Sequence, residues 1–190
     1  MKEMVIGLDQ SYTDTGIGIA VDGKLKWVGH CSFTGCSNKA EKRLFLNKYI
    51  KHLYERYKSK YNIVIVTEGI RLFSGQDPHI SRAYISSAYA MIGSLVDLAY
   101  SLGIPIYSVE TRSWKKAVLG SSKNSDTKLE GVKDQKKVAS VKFILHLGFE
   151  KQLTTITRGG KIKYNDNIAD AGCIALSYFH STICKSLGGF

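Results

Sequence analysis

Hydrophobic and polar positions follow two different periods along this chain, and each change of period marks a new element. Met4-Val5-Ile6-Gly7-Leu8 is a short apolar run closed by Asp9, the pattern of a buried strand. Gly16 to Val21 and Leu25 to Phe33 repeat that pattern, and Asp22-Gly23 between them is the pairing a tight hairpin turn demands. The chain therefore opens with a predicted antiparallel meander of three strands. After Asn38 the period changes: Leu46, Tyr49, Ile50, Leu53, Tyr54 and Tyr57 recur at helical spacing, with lysines and arginines on the opposite face. Asn38 as cap and Glu41 three residues later give this helix a capping-box start.

Asn62 to Thr67 is a compact β-branched run that follows a helix, so it is predicted as a central parallel strand. A second helix is expected from about Ile80 to Leu102, closed by Gly103, then a strand over Ile104 to Val109 and a short helix over Thr111 to Leu119. Gly120 to Lys133 reads as an exposed basic loop, and Asp134 to Leu147 as a helix ending at Gly148. Gly159 to Asn165 is predicted to be polar and irregular, and Ile168 to about Cys184 is the last predicted helix. This order resembles the RNase H-like plan. It implies an α/β fold with a mixed five-stranded sheet, three antiparallel strands then parallel ones, flanked by helices. The length suits one domain over residues 1–190.

Charge sharpens the picture. There are 27 Lys plus Arg against 16 Asp plus Glu, a net charge of +11 and a pI near 9.4. Such an excess attracts polyanions, nucleic acid being the commonest. The apolar stretch in MKEMVIGLDQ is too short for a signal peptide, and no run is expected to span a membrane, so a cytoplasmic location is expected, in a bacterium or a phage-infected host. Cys31, Cys36, Cys173 and Cys184 form no CxxC pair and are expected to be reduced thiols rather than zinc ligands.

Asp9 falls at the end of the first strand, Glu68 at the end of the fourth, and Asp170 in the first turn of the last predicted helix. Any one of these acids alone would be an ordinary turn former or helix-start residue. Gathered together they repel one another and call for a cation, and oxygen-only ligands select Mg²⁺ or Mn²⁺ over zinc.

Gly7-Leu8-Asp9-Gln10-Ser11-Tyr12-Thr13-Asp14-Thr15-Gly16 resembles the opening motif of the RuvC-type Holliday junction resolvases, an acid on the first strand followed by a small-residue loop ending in Thr-Gly. Thr67-Glu68-Gly69 is similar to the second acidic site of that family, and Asn165-Asp166-Asn167-Ile168-Ala169-Asp170-Ala171 to its C-terminal helix motif. The long basic stretch from Gly120 to Lys133 looks more like phage-type members. The resemblance implies a homodimer that nicks four-way junctions symmetrically with two metal ions about 4 Å apart, Asp9 shared between them and Glu68 and Asp170 on either side. Where it implies Asp or His, this chain has Asn167, an amide that ligates weakly and cannot act as a base. That departure implies low activity as the sequence stands, or an inactivating substitution, with Asp166 as the alternative ligand.

Basic residues cluster at Lys115-Lys116, from Lys123 to Lys137, and from Arg158 to Lys163, all expected beside the acids and in reach of phosphates. Lys115, Lys116, Lys123, Lys161 and Lys163 are the expected phosphate contacts, together with Arg71. The resemblance adds a lysine on the cleaved strand, which either Lys136 or Lys137 matches, and an aromatic wedge at the junction centre, which Phe73 matches. The small residues Ser86, Ser87, Ala88, Ala90, Gly93 and Ser94 permit a close helix contact, and the resemblance places the dimer interface there. Three rival readings share parts of this pattern. An actin-like or sugar-kinase phosphate loop would need a second domain. A noncatalytic branched-DNA binding module would keep the fold with a degraded metal site. An RNA-processing nuclease would share the fold outright.

Overall fold

The computed structural model describes residues 1–69, 82–122, 128–180 and 183–188. Its opening meander follows the alternation of the sequence. β1 (Lys2–Asp9), β2 (Asp14–Val21) and β3 (Lys24–Ser32) pair antiparallel. Asp22 and Gly23 both take left-handed backbone, φ 47° and 76°, as the turn between the last two requires. β4 (Tyr61–Glu68) then pairs parallel to β1, and β5 (Ile106–Val109) parallel to β4.

The sheet does not stop at five strands. β8 (Cys184–Ser186) adds antiparallel to β5, giving the order β3-β2-β1-β4-β5-β8. The last helix, α6 (Asp166–Ser177), correspondingly starts before Ile168 and ends well before Cys184. Its final turn tightens: Phe179 N–H donates to Leu176 O at 3.2 Å and His180 N–H to Ser177 O at 3.0 Å. The chain thereby leaves the helix and covers the open edge of β5, whose backbone groups would otherwise face solvent.

Residues 159–165 differ from expectation as well. After a short α5 (Glu150–Leu153), β6 (Thr154–Ile156) and β7 (Ile162–Tyr164) form a separate two-stranded hairpin. The β-branched Thr154, Thr155 and Ile156 favour strand geometry, and Gly160 at φ 77° closes the turn.

α1 (Lys39–Tyr57) and α2 (Arg82–Leu102) cover one face of the sheet; α3 (Thr111–Leu119), α4 (Val138–His146) and α6 cover the other. The expected helix over 134–147 begins with a 3₁₀ turn, Gln135–Lys137, capped by Asp134, whose carboxylate accepts from Lys136 N–H at 2.9 Å. α1 starts at its predicted capping box: Glu41 N–H donates to Asn38 Oδ1 at 3.0 Å, and Glu41 Oε2 accepts from Ser37 N–H at 2.6 Å. Such a cap stabilises a helix by about 1 kcal/mol.

Two buried layers follow from the period-2 alternation of β1. Met4, Ile6 and Leu8 pack toward Leu46, Ile50 and Leu95 on one face, while Val5 packs toward Trp114, Val141 and Ile174 on the other. α2 modifies the expectation that no segment is long and apolar enough to span a membrane. Its window Ile85–Leu102 has a mean hydropathy of 1.2 and is long and apolar enough by length and composition only, with 17% of it buried. Met91, Leu95 and Ala99 face the core, whereas Tyr89, Ala90, Gly93 and Tyr100 face outward.

α6 lies unusually close to the sheet. A Cβ on Gly7 would strike the backbone of Ala175, one on Gly16 the carbonyl of Asn167, and one on Gly18 the carbonyl of Ala171. Three strand glycines facing one helix thus let its backbone settle directly on β1 and β2. This contact positions the site.

Candidate active site

The register that pairs Leu8 with Thr67 sets the two strand-end acids side by side at one edge of the sheet, Asp9 after Leu8 and Glu68 after Thr67. α6, drawn down by the glycines, adds Asn167 and Asp170. Because that helix begins at Asp166, Asp170 stands in its second turn rather than its first, where the helix dipole favours a carboxylate less. One ammonium sits among these groups. Lys137 Nζ is 3.0 Å from Asp9 Oδ2, 3.0 Å from Asp170 Oδ2, and donates to Asn167 Oδ1 at 2.9 Å.

Each member is held in place by a neighbour. Ser140 Oγ donates to Asp170 Oδ1 at 2.5 Å, and the buried Trp114 indole donates to Glu68 Oε1 at 3.0 Å. Gln10 Nε2 donates to the Glu68 carbonyl at 2.7 Å, leaving its own Oε1 buried without a partner. Asn167 is gripped from both ends, since its Nδ2 donates to the Asp14 carbonyl at 2.9 Å while its Oδ1 receives Lys137. Asp14 also accepts from Asn165 Nδ2 at 2.5 Å and pairs with His30 at 2.5 Å, which ties the first turn of α6 to β2 and β3.

The electrostatics are unbalanced. Burial pushes the Asp9 carboxyl up to about 7; Lys137 opposes that rise, and Asp170 and Glu68 add to it. Burial raises Asp170 too, against the pull of Lys137 and the Ser140 hydrogen bond. Lys137 is itself raised, because the charges of Asp170 and Asp9 outweigh its desolvation. One ammonium among three carboxylates does not neutralise the group.

That imbalance is the test of whether a metal fits. Among the described residues no three His, Cys, Asp or Glu side chains stand close enough to chelate an ion as they are. The donors are nonetheless all hard oxygens, an ammonium already occupies a cation's place between them, and a buried amide oxygen lacks a partner. Asp9, Asp170 and Asn167 suit Mg²⁺ or Mn²⁺, with Glu68 at the edge.

A cleft of about 920 Å³ opens beside this cluster, lined by Ser11, Asp14, Lys133, Lys137, Lys163 and Asp166 among others. Asp166 stays outside the Lys137 contacts and accepts from Asp134 N–H at 3.4 Å. The expected basic contacts divide. Lys137 enters the site, and Lys136 remains exposed. Lys163 lines the cleft from β7, with Lys161 exposed at the hairpin turn and Lys116 exposed on α3. Lys115 requires correction as a phosphate contact: it is buried, donates to the Lys136 carbonyl at 3.1 Å, and lies over the Trp114 ring, so it braces α3 against the 3₁₀ turn. Arg71, Phe73 and Lys123 lie outside the described residues.

Sequence reasoning missed Trp114 and Ser140 as supports of Glu68 and Asp170, and Asp14 as the anchor of Asn167. Trp114 carried a usable signal, a polar-tipped aromatic on a short helix directly after the β5 strand; Ser140 carried none, because its role depends on how α4 meets α6.

No family model matches the sequence, and no curated protein sequence does. Solved structures do match. Thermus thermophilus RuvC in complex with a Holliday junction substrate aligns at TM-score 0.63 and 14% identity, over 97% of this chain and 99% of that one. Thermus thermophilus RuvC by itself aligns at TM-score 0.60 and 18% identity over the same shares. The yeast mitochondrial Holliday junction resolvase Ydc2 aligns at 0.55 and 16%, over 93% of this chain and 77% of that one. With its antiparallel meander, parallel continuation and acids at the shared strand edge, this chain has the RNase H-like fold of the RuvC-type resolvases.

Proposed function

We propose that this protein is a divalent-metal-dependent endonuclease that cuts branched DNA, four-way junctions above all. The observation that carries the reading is the convergence of Asp9, Asp170 and Asn167 on one ammonium, with Glu68 beside them, on a fold whose solved neighbours are Holliday junction resolvases. The net charge of +11 supports a polyanionic substrate.

When bound, two Mg²⁺ or Mn²⁺ ions would supply an activated water and stabilise the leaving 3′-oxygen. Asp9, Asp170 and Glu68 would hold them. Trp114 and Ser140 fix the rotamers of Glu68 and Asp170, and buried packing around Asp9 excludes competing water. Lys137 holds the carboxylates together in the absence of metal, and its long stem lets the same ammonium move to a phosphate oxygen. Lys133 and Lys163 steer the strand along the cleft. The small and apolar outward face of α2 supports a homodimer, which paired nicks on a two-fold junction require.

A second reading has its own observation. Asn167 Nδ2 donates to the Asp14 carbonyl, a bond a carboxylate cannot make, so Asn167 and Lys137 together suit a permanently metal-free junction-binding module. Gel-shift assays with a four-way junction and a matched duplex, followed by cleavage in Mn²⁺ by wild type and Asn167→Asp, separate the two. The nuclease reading expects junction preference and a cleavage rate raised at least tenfold by the added charged ligand. Junction preference with no cutting by either protein favours the binding module, and no preference removes both.

A further inference from the structure

At the far end of the sheet from the acids, a cavity of about 730 Å³ lies between the last turns of α1 and the start of β1. Its size is that of a small-ligand pocket. Asp9 closes β1 and the cavity-lining Met4 lies five residues before it, which separates the two sites by roughly 16 Å at a strand's rise per residue.

The lining is aromatic and cationic. Trp27, Tyr49, Tyr57 and Tyr61 supply rings, while Lys2, Lys26 and Arg56 supply charge; among the described residues no acid lines it. Lys2 has a distant partner, Asp22 at 3.9 Å, and Arg56 lies over the Tyr57 ring at 5.4 Å.

Two features of the backbone build this lining. The β2–β3 register shifts between Ile19 and Ala20: Ile19 faces Trp27, but Ala20 faces Leu25, so Lys26 is an extra residue in β3. In a regular strand, neighbours such as Lys26 and Trp27 point to opposite faces; the bulge turns both into one cavity. Gly29 is the second feature. A Cβ there would strike the six-membered ring of Trp27, so the missing side chain makes room for the indole against β3, where it lines the cavity.

Flat rings beside cations, with no acid among the lining residues, are the chemistry that receives a planar base with an attached phosphate. We infer that this pocket binds a nucleotide, stacking the base on Trp27 and the tyrosines and holding the phosphate with Lys26 and Arg56. The same chemistry is offered by a free mononucleotide and by the phosphorylated end of a DNA strand. The inference does not depend on the nuclease reading.

Titration calorimetry on the full chain in EDTA, which silences cleavage, tests it with adenosine 5′-monophosphate, adenosine, inorganic phosphate, and a short oligothymidylate with or without a 5′-phosphate. At least one phosphorylated nucleotide probe should bind about tenfold more tightly than its unphosphorylated counterpart or phosphate alone. Trp27→Leu and the surface change Lys26→Glu should each weaken it about tenfold, a stacking-sized loss. Lys26→Glu keeps the test valid if Trp27→Leu fails to fold. A variant-sensitive mononucleotide names a free nucleotide as the ligand, and a variant-sensitive oligonucleotide alone names a strand end. No binding at millimolar probe, or binding that Lys26→Glu leaves unchanged, overturns the inference. Junction cleavage by Lys26→Glu serves as the independent readout, expected at the wild-type rate.

Discussion

Asp9 is the residue on which the site turns. Its carboxyl is raised from 3.8 to about 7 chiefly by burial, so the folded state binds a proton more tightly than the unfolded chain. The stability this proton contributes is fully present below pH 3.8 and is lost as pH rises through about 7. Metal-free protein should therefore carry a penalty at pH 8 that Asp9→Asn removes, raising stability by about 2 kcal/mol, the shift discounted for the weakened pairing of Lys137. Near pH 4 the substitution should be almost neutral. Thermal melts in EDTA at the two pH values check this, and a destabilised Asp9→Asn at pH 8 would show that Lys137 compensates the charge fully. In the presence of Mn²⁺ the ranking should reverse, because only the aspartate gains from ligation.

At the scale of elements, α6 matters most, since it delivers two site residues without belonging to the sheet. Gly16→Ala places a methyl against the Asn167 carbonyl and forces the first turn of α6 away from β2. The expected result is a loss of about 2 kcal/mol or more in stability, an overpacking cost, and a larger loss of metal affinity than distant core changes of equal ΔΔG produce. Denaturant unfolding and Mn²⁺ titration measured side by side check both halves; a destabilised variant with intact metal affinity would contradict the positioning argument.

The same helix shows where sequence patterning stops. The meander, the Asn38 cap and α3 at Thr111–Leu119 were legible because alternation, turn chemistry and periodicity are local. Asp9 and Glu68 were legible as strand-end acids, their adjacency following once β1 and β4 pair in parallel. The early end of α6 was not, since the apolar period runs on through Phe179 and Ile183, and only the open edge of β5 makes strand pairing the better use of those residues. Nor could spacing choose between Lys136 and Lys137; the 3₁₀ turn rotates the second into the site. Lys115 misleads for a related reason, its stem being packed under α3 while the charge meets a carbonyl.

For the whole molecule, the outward face of α2 is the surface a proposed two-fold partner would use. Gly93 is exposed and meets nothing within 4 Å when a Cβ is added, so Gly93→Arg leaves the protomer intact while blocking close helix approach. Sedimentation should give a dimer for wild type and a monomer for this variant, with symmetric paired nicking lost first. A monomeric wild type would remove the dimer from the account. Charge acts at the same scale: the chain carries a net +11, Lys133, Lys137 and Lys163 line the cleft, and junction affinity should fall steeply with salt.

Metal-dependent junction cutting is tested most directly by cleavage of an end-labelled immobile four-way junction, with a matched duplex control, by wild type and Asp9→Asn, each with Mn²⁺ or EDTA. Nicks should appear at symmetric positions on opposing strands, need Mn²⁺, spare the duplex and vanish in Asp9→Asn. Cutting that persists in EDTA or in Asp9→Asn, or duplex cut as readily as junction, would contradict the nuclease reading.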